Sequence, residues 1–290
     1  MPSIAISGVI PSLVTPFDSS GRIQFDCLRR EVEYLSQTGV HALCVGGLVG
    51  ELAGAAPEEV HQVCKAVVDE ADIPVVANLF PDCTAEALLL AEAATSAGVD
   101  VLMVAPPHYL FQPETDELLQ LFTSVRNKVR IPLFLSNSIQ TAAASLPAIR
   151  CLMDHQSVDG VYHGISDAHL LADLLRIRPR VAIYSGIEDL LYLSLLLGAE
   201  GCISILALLF PRTSLQLYEA VGQGNHDLAR ALHERLLRFW HRFNHPTHLL
   251  PRLKAGLAAM GRESGFSRSP YDAATSTDVP QLKILLSDLS

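Results

Sequence analysis

The 290-residue sequence has only four lysines, no run of basic residues and no long apolar segment. Without about 18 consecutive apolar residues, a membrane-spanning helix is not expected. The first residues lack the basic start and apolar stretch of a signal peptide, so we expect a cytoplasmic protein. The net charge of −10 and the absence of basic clusters argue against nucleic acid or an anionic membrane surface as a partner.

Paired-cysteine motifs are also absent, because none of the six cysteines forms a CxxC pair. Cys44 and Cys202 lie within apolar, strand-like segments. We therefore predict reduced thiols that act as small hydrophobic side chains and form no disulfide framework.

The first 222 residues alternate short apolar segments with longer amphipathic ones. Each repeat of this pattern spans roughly 25–30 residues, the length that a parallel strand–helix–strand crossover needs. Nearly continuous apolar strands are typical of a parallel sheet covered by helices. The eight strand-like segments are Gly8–Val14, Ala42–Gly46, Pro74–Phe80, Val101–Ala105, Pro132–Asn137, Val158–Tyr162, Val181–Gly186 and Gly201–Leu206. We predict an α/β fold, a (β/α)₈ TIM barrel over residues 1–222.

A doubly wound open sheet is the alternative fold with the same alternation. Such sheets usually carry a glycine-rich phosphate turn after the first strand. Here the segment Thr15-Pro16-Phe17-Asp18 follows the first strand, with no GxGxxG motif. The barrel is therefore the simpler prediction.

The strand–helix alternation stops after Gly222. Three helical patterns follow without strands between them: Asn225–Phe243, Leu249–Met260 and Val279–Leu289. Asn225 is a residue type that favours the N-cap of the first of these helices. We predict that residues 223–290 form a three-helix C-terminal extension that packs on the barrel.

The chemistry of such barrels lies where the strands end at their carboxyl side, and in the loops that follow. Glycine and polar residues collect at these positions in the sequence. The segments are Gly46-Gly47-Leu48-Val49-Gly50-Glu51, Ala105-Pro106-Pro107-His108-Tyr109, Leu135-Ser136-Asn137-Ser138, Tyr162-His163-Gly164, Ser185-Gly186 and Ser204.

These motifs, in this order, resemble the dihydrodipicolinate synthase / N-acetylneuraminate lyase family of class I aldolases. The matching segments are Thr15-Pro16-Phe17, Gly47-x-x-Gly50-Glu51, Ala105–Tyr109, Asn137, Gly186, Gly198–Ser204 and Ser269-Pro270. The resemblance extends over nearly the whole chain. It implies the barrel with C-terminal helices, a small carboxylate of the 2-oxo acid type as ligand, no cofactor, and a homodimer or homotetramer.

The resemblance also implies that most of the family's catalytic side chains are replaced. The lysine that forms a Schiff base in the family falls on Tyr162, and a phenol cannot form an imine. The family's strand-5 tyrosine falls on Ser136, and an arginine falls at about Thr141. The two threonines of its glycine turn fall on Leu48 and Val49.

None of the four lysines is predicted to supply the missing amine. Lys65 lies within a helical pattern, and Lys128 lies at the end of a helix, before the fifth strand. Lys254 and Lys283 lie in the C-terminal helices. A catalytic lysine needs a desolvated site that lowers its pKa. We predict that all four are solvated surface charges.

Four residues are candidates for catalysis: Tyr162, His108, Tyr109 and Ser136. Tyr162 could donate a hydrogen bond at the barrel mouth or simply fill a disused pocket. His108 could move protons or contact a neighbouring subunit. Tyr109 matches a tyrosine that the family often shares across a subunit interface.

The candidate substrate-binding residues are those of the glycine turn and the strand ends. Amides exposed in a glycine turn can bind a carboxylate. Glu51 could act as a base or support the turn, and His163 reaches the mouth only if its strand has ended before it. No metal-ligand spacing links His108, His163 and Glu51, so no metal is expected. The set is Gly47, Leu48, Val49, Gly50, Glu51, Asn137, His163, Gly186 and Ser204.

Two functional hypotheses follow. The first is a diverged lyase that acts on a small carboxylate without an imine, with hydrogen bonds from backbone amides, Ser136 and Tyr162 and with His108 moving protons. The second is a catalytically inactive paralogue that serves as a binding or regulatory subunit.

Overall fold

Eight parallel strands form a single sheet in the order β1-β8-β7-β6-β5-β4-β3-β2. The computed structural model describes residues 6–108, 112–177, 181–245 and 247–271, together with Leu282 and Leu285. A parallel bridge between Ser12 and Cys44 joins the first and second strands and closes the sheet. The predicted (β/α)₈ barrel is therefore confirmed.

The strands are β1 (Gly8–Pro11), β2 (Leu43–Gly46), β3 (Val75–Leu79), β4 (Val101–Val104), β5 (Leu133–Asn137), β6 (Gly160–His163), β7 (Ala182–Ser185) and β8 (Gly201–Ser204). The helices are α1 (Phe25–Gln37), α2 (Pro57–Glu70), α3 (Thr84–Ser96), α4 (Thr115–Lys128), α5 (Leu146–Asp154), α6 (Ala168–Ile177), α7 (Leu191–Leu196), α8 (Ile205–Leu209), α9 (Pro211–Gly222), α10 (His226–Phe243) and α11 (Leu249–Ala259). Short 3₁₀ helices cover Gln140–Ala142 and Glu188–Leu190.

The eighth strand is shorter than the apolar pattern predicts. The predicted strand ran to Leu206, but β8 ends at Ser204 and helix α8 begins at Ile205. The Ser204 hydroxyl accepts a hydrogen bond from the Ala207 amide at 3.1 Å, which caps this helix. A buried helix and a buried strand are equally apolar, so hydrophobicity alone did not separate them.

The sixth strand is shifted toward its carboxyl end. It covers Gly160–His163 rather than Val158–Tyr162, and His163 pairs with Asn137 on one side and Ser185 on the other. Because His163 lies within the strand, its side chain points to the face opposite Tyr162.

Aromatic rings and glycines share the space inside the barrel. The rings of Phe134 and Tyr184 stack with their centroids 5.2 Å apart. A Cβ atom at Gly160 would lie 2.8 Å from the Phe134 ring, and one at Gly186 would lie 2.2 Å from the Tyr162 hydroxyl. Glycine at these positions makes room for the large side chains.

C-terminal helices follow the barrel, as the predicted helical extension requires. Helix α10 contacts α7 and α9, and the Asn225 side chain accepts a hydrogen bond from the Leu228 amide at 3.2 Å, which confirms the predicted N-cap. Most of the third predicted helix, Val279–Leu289, lies outside the described residues; Leu282 and Leu285 are buried.

The six cysteines are free thiols, as predicted. Burial raises the pKa of Cys44, Cys64 and Cys202 to about 12, so these thiols stay protonated and act as small apolar groups. Among the described residues, none of the helices combines the length and the apolarity that a bilayer crossing requires.

Candidate active site

Tyr162 lies in the centre of the barrel, at its carboxyl-end mouth. It pairs in the sheet with Ser136 on β5 and Tyr184 on β7, and it is 9% exposed. Its hydroxyl lies over Gly164 and Gly186. Burial raises the pKa of the phenol far above its usual value, and the nearby Glu188 adds to this effect. Tyr162 therefore stays protonated and can donate a hydrogen bond.

A cavity of about 230 Å³ opens above this tyrosine, and we name it the inner cavity. Its polar side chains include Ser12, Asn78, Tyr162 and Glu188. Gly186, one of the predicted site residues, lies in its wall, and Trp240 of α10 also lines it. The barrel and the C-terminal extension therefore both contribute to one pocket.

Glu188 is a buried acid in the inner cavity that the sequence reasoning missed. It is 6% exposed; one carboxyl oxygen accepts the Ser204 hydroxyl at 2.6 Å and the other accepts the Ile205 amide at 2.6 Å. Burial raises the pKa of Glu188 to about 7, although these hydrogen bonds oppose the shift. A group that titrates near neutral pH is suited to proton transfer.

The signal for Glu188 was present in the sequence. An acidic pair, Glu188-Asp189, comes directly after the seventh strand and Gly186. In a barrel, such a position lies at the catalytic face. The sequence alone does not show how deeply Glu188 is buried, because Ser204 and α8, which lie later in the chain, cover its carboxyl group.

The turn after β2 has a backbone that only glycine can supply at several positions. Gly46 and Gly47 have φ angles of 79° and 76°, and a Cβ atom at Gly50 would lie 2.2 Å from the Gly46 carbonyl oxygen. The amides of Leu48 and Val49 have no acceptor among the described residues. Both residues line the inner cavity, so their N–H groups are available to an anion.

Lys254 corrects one of the sequence predictions. It is not a surface charge: its side chain is 3% exposed, and its ammonium lies 2.5 Å from a Glu51 carboxyl oxygen. The ammonium also donates to the carbonyl oxygens of Thr15 and Phe266, both at 2.6 Å. Burial lowers the pKa of Lys254, and Glu51 partly offsets this. The acceptors come from three distant segments, so no local pattern reveals them.

The Lys254 amine has no direct access to the site. Its ammonium donates to two carbonyl oxygens and is paired with Glu51, and it lines neither the inner cavity nor the larger one described below. Lys65 and Lys128 are about half-exposed, as predicted, and pair with Asp69 and Glu92. Lys283 lies outside the described residues.

Glu51 anchors the glycine turn to the C-terminal segment. One of its carboxyl oxygens pairs with Lys254, and the other accepts the Arg268 amide at 2.7 Å. Its φ angle of 55° is unusual for a residue with a side chain, so these contacts hold a strained backbone in place. These contacts favour a supporting role for Glu51 over that of a base.

Four of the other predicted residues lie outside both cavities, although all are buried. The Ser136 hydroxyl lies 3.0 Å from that of Ser138, and the Ser204 hydroxyl bonds to Glu188. Asn137 accepts the Ala144 amide at 2.8 Å.

His163 is the fourth of these residues. Its Nε2 lies 3.0 Å from the Asp167 carbonyl oxygen, and its Nδ1 lies 3.4 Å from the Asn137 amide nitrogen. Burial lowers the pKa of His163. Strand alternation turns its ring away from the cavity, so the structure does not bring it together with His108 or Glu51.

A second cavity, of about 630 Å³, lies outside the first, and we name it the outer cavity. Leu48, Val49, Ile205 and Leu249 line both cavities. Gly47, Glu51 and His108 line only the outer one. His108 lies with its Nδ1 3.4 Å from Asp82, and its neighbour Tyr109 is outside the described residues.

A closed sheet of eight parallel strands with a polar cavity at their carboxyl ends is the architecture of a TIM barrel. The sequence comparison defines the family within that class. The chain belongs to the dihydrodipicolinate synthetase family, whose model matches residues 5–289.

Two curated relatives are 4-hydroxy-tetrahydrodipicolinate synthases. The protein from Pseudomonas aeruginosa is 33% identical over 237 residues, which cover 80% of this chain and 81% of that protein. The protein from Methanothrix thermoacetophila is 29% identical over 287 residues, which cover 98% of this chain and 97% of that protein.

The fold is also similar to a solved structure from E. coli K12. That structure is a prophage protein of the dihydrodipicolinic acid synthase family in complex with pyruvate. The TM-score is 0.92 at 24% identity, with 98% of each chain covered.

Proposed function

We propose that this protein binds a small 2-oxo acid at the barrel mouth and holds it by hydrogen bonds, without an imine. The side chains of the inner cavity carry this proposal. The phenol of Tyr162 lines this cavity, and none of the lysines that the structure describes does. An imine needs a free amine at the bound carbonyl, and Tyr162 offers only a hydrogen-bond donor.

The glycine turn supports a carboxylate as part of the ligand. The amides of Leu48 and Val49, two residues that line the cavity, have no acceptor among the described residues. Two adjacent backbone donors suit the two oxygens of a carboxylate and carry no charge of their own. The fold relative from E. coli K12 is in complex with pyruvate, a 2-oxo acid.

The buried acid supports an active enzyme, a carbon–carbon or carbon–oxygen lyase. In the cleavage of a 4-hydroxy-2-oxo acid, the ionised Glu188 accepts the proton of the C4 hydroxyl, C4 becomes a carbonyl, and the C3–C4 bond breaks with its electron pair forming an enolate over C2 and C3. The Tyr162 hydroxyl stabilises the charge on the enolate oxygen, and the protonated Glu188 returns a proton to C3. In this mechanism Glu188 replaces the proton-transfer role that we expected for His108, which lies in the outer cavity.

A catalytically inactive binding subunit is the second candidate. The packing of Tyr162 favours it, because the ring fills the space above Gly164 and Gly186. A buried phenol with a strongly raised pKa does not act as a base. In this alternative the same carboxylate binds but is not converted.

Borohydride trapping with pyruvate, read by intact mass, tests the non-imine proposal. We expect no adduct on the wild-type protein. Tyr162→Lys is the matched control, because it places an amine in the same cavity and is expected to gain the adduct. A stable adduct on the wild-type protein overturns the proposal.

Calorimetry with pyruvate, followed by a turnover assay with 4-hydroxy-2-oxo acids, separates the two candidates. Binding with turnover that is lost in Glu188→Gln and Tyr162→Phe supports the lyase. Binding without turnover supports the inactive subunit. The absence of pyruvate binding contradicts both. Light scattering of the purified protein tests the homodimer or homotetramer that the resemblance implies.

A further inference from the structure

The outer cavity has a predominantly apolar wall. Leu48 lies at its junction with the inner cavity and is 60% exposed, and Tyr271 across the wall is 56% exposed. Phe80, Ile139 and Leu250 contribute further apolar surface. Exposed apolar side chains that line a pocket gain free energy when a ligand covers them.

The charged groups of the outer cavity are already paired. Both terminal nitrogens of Arg268 donate to Glu59, and the guanidinium lies 4.4 Å from the centre of the Phe17 ring. Glu51 is paired with Lys254, and His108 lies beside Asp82. A second carboxylate or a phosphate on the ligand would therefore meet no free cation among the described residues of this wall.

The two cavities adjoin at the glycine turn. Leu48 and Val49 line both cavities, and their amides have no acceptor among the described residues. A carboxylate on those amides leaves the rest of the ligand free to extend along the Leu48 side chain into the outer cavity.

We propose that the ligand is a 2-oxo acid with an apolar alkyl or aryl substituent, and that Leu48 determines this specificity. The inference rests on the proposed function, since it assumes a 2-oxo acid at the glycine turn. It adds the chemical class of the substituent, which the outer cavity selects by apolar contact and by the lack of a free charge.

Calorimetric titration with a graded series of ligands tests this inference. The series is pyruvate, 2-oxobutanoate, 2-oxopentanoate and 2-oxohexanoate, with 2-oxoglutarate as the charged comparison of similar size. We expect affinity to rise by up to about fourfold for each added methylene, and 2-oxoglutarate to bind more weakly than 2-oxohexanoate.

Leu48→Thr is the diagnostic variant, because it keeps the backbone amide and exchanges the apolar side chain for a hydroxyl. We expect the gain in affinity per methylene, measured relative to each protein's own affinity for pyruvate, to fall below about twofold. Leu89→Thr is the matched control, since Leu89 is 55% exposed on α3 and lines neither cavity. It should keep the wild-type series.

The outcomes separate this inference from the proposed function. If pyruvate does not bind, the proposed function fails, and this inference fails with it. If pyruvate binds but chain length has no effect, or 2-oxoglutarate binds best, only the inference fails. A Leu48→Thr variant that changes the oligomeric state but not the chain-length series assigns the apolar wall to a second copy of the chain and also overturns it.

Discussion

Two buried glutamates at the barrel mouth have opposite surroundings. Glu51 has a cation beside it, since Lys254 lies 2.5 Å away and shares its burial. Among the described residues Glu188 has only neutral donors, the Ser204 hydroxyl and the Ile205 and Leu206 amides, and burial raises its pKa to about 7. A paired charge holds structure together, whereas a buried acid without a cation remains able to exchange a proton.

The two glutamates therefore differ in role: Glu51 supports the structure of the turn, and Glu188 belongs to the candidate site. The Glu51 pair connects the glycine turn to Phe266 and Arg268 in the C-terminal segment. Glu188 instead faces the inner cavity with Tyr162. Among the described residues, Glu51 is paired with the Lys254 ammonium, whereas Glu188, which lines the inner cavity, has no cation beside it.

Removing the cation of the paired glutamate should give the largest effect. Lys254→Met leaves Glu51 buried and unpaired, and it should lower the free energy of unfolding by about 3–5 kcal/mol. Urea denaturation measures this loss. Lys65→Met, at an exposed pair with Asp69, should cost less than about 1 kcal/mol.

A second substitution isolates the charge. Adding Glu51→Gln to Lys254→Met removes the uncompensated carboxylate and should recover part of the lost stability. If Lys254→Met costs no more than Lys65→Met, the buried pair does not stabilise the turn, and the contrast with Glu188 is lost.

The unpaired glutamate should control how stability depends on pH. The pKa of Glu188 in the folded protein, about 7, lies above its ordinary value of 4.5, so the folded state binds the proton more tightly than the unfolded state. The proton on Glu188 therefore adds about 3 kcal/mol to the free energy of unfolding. This stabilisation is fully present below pH 4.5 and is lost as the pH rises through 7.

Glu188→Gln should remove this part of the pH dependence. The variant should be more stable than the wild type at pH 8, and the difference should shrink toward pH 5; urea denaturation at the two pH values measures it. Glu58→Gln, at an exposed residue in the first turn of α2, is the control. Parallel pH profiles for Glu188→Gln and the wild type would show that this carboxyl titrates normally.

Gly186→Ala should have a smaller effect on the packing around Tyr162. The added Cβ would lie 2.2 Å from the Tyr162 hydroxyl, so the ring must shift, at a cost of about 1–3 kcal/mol. Thermal unfolding measures the loss. The control is Gly222→Ala at the end of α9, where a Cβ would meet nothing within 4 Å.

The double variant Gly186→Ala/Tyr162→Leu tests the cause. It removes the clashing ring and should lose less stability than the sum of the two single variants. Additive losses would mean that the glycine does not serve to accommodate the tyrosine.

The barrel was predictable because its signals are local. Apolar segments of strand length alternate with amphipathic ones, and Asn225 marks a helix start, so neighbouring residues carry the information. The predicted end of the eighth strand was wrong, because an apolar segment fits a buried strand and a buried helix equally well. Ile205 and Leu206 continue the apolar run of β8, but the cap at Ser204 turns the chain into α8.

The site was only partly predictable, because its properties come from distant contacts. Lys254 follows a helical pattern that is normally half-solvated, yet Thr15, Glu51 and Phe266 surround its ammonium. Glu188 was visible as an acid after a strand, but its raised pKa depends on the closure of β8 and α8 over it.

The sequence by itself determined the family, the alternation of strands and helices, and the tyrosine on the sixth strand. These follow from residue identity and periodicity, which a chain carries before it folds. Only the tertiary structure decided which charges are buried, which acid lies in the cavity and which side chains line the two pockets. Burial and pairing arise between segments far apart in the chain, and they set the free energy of each charge.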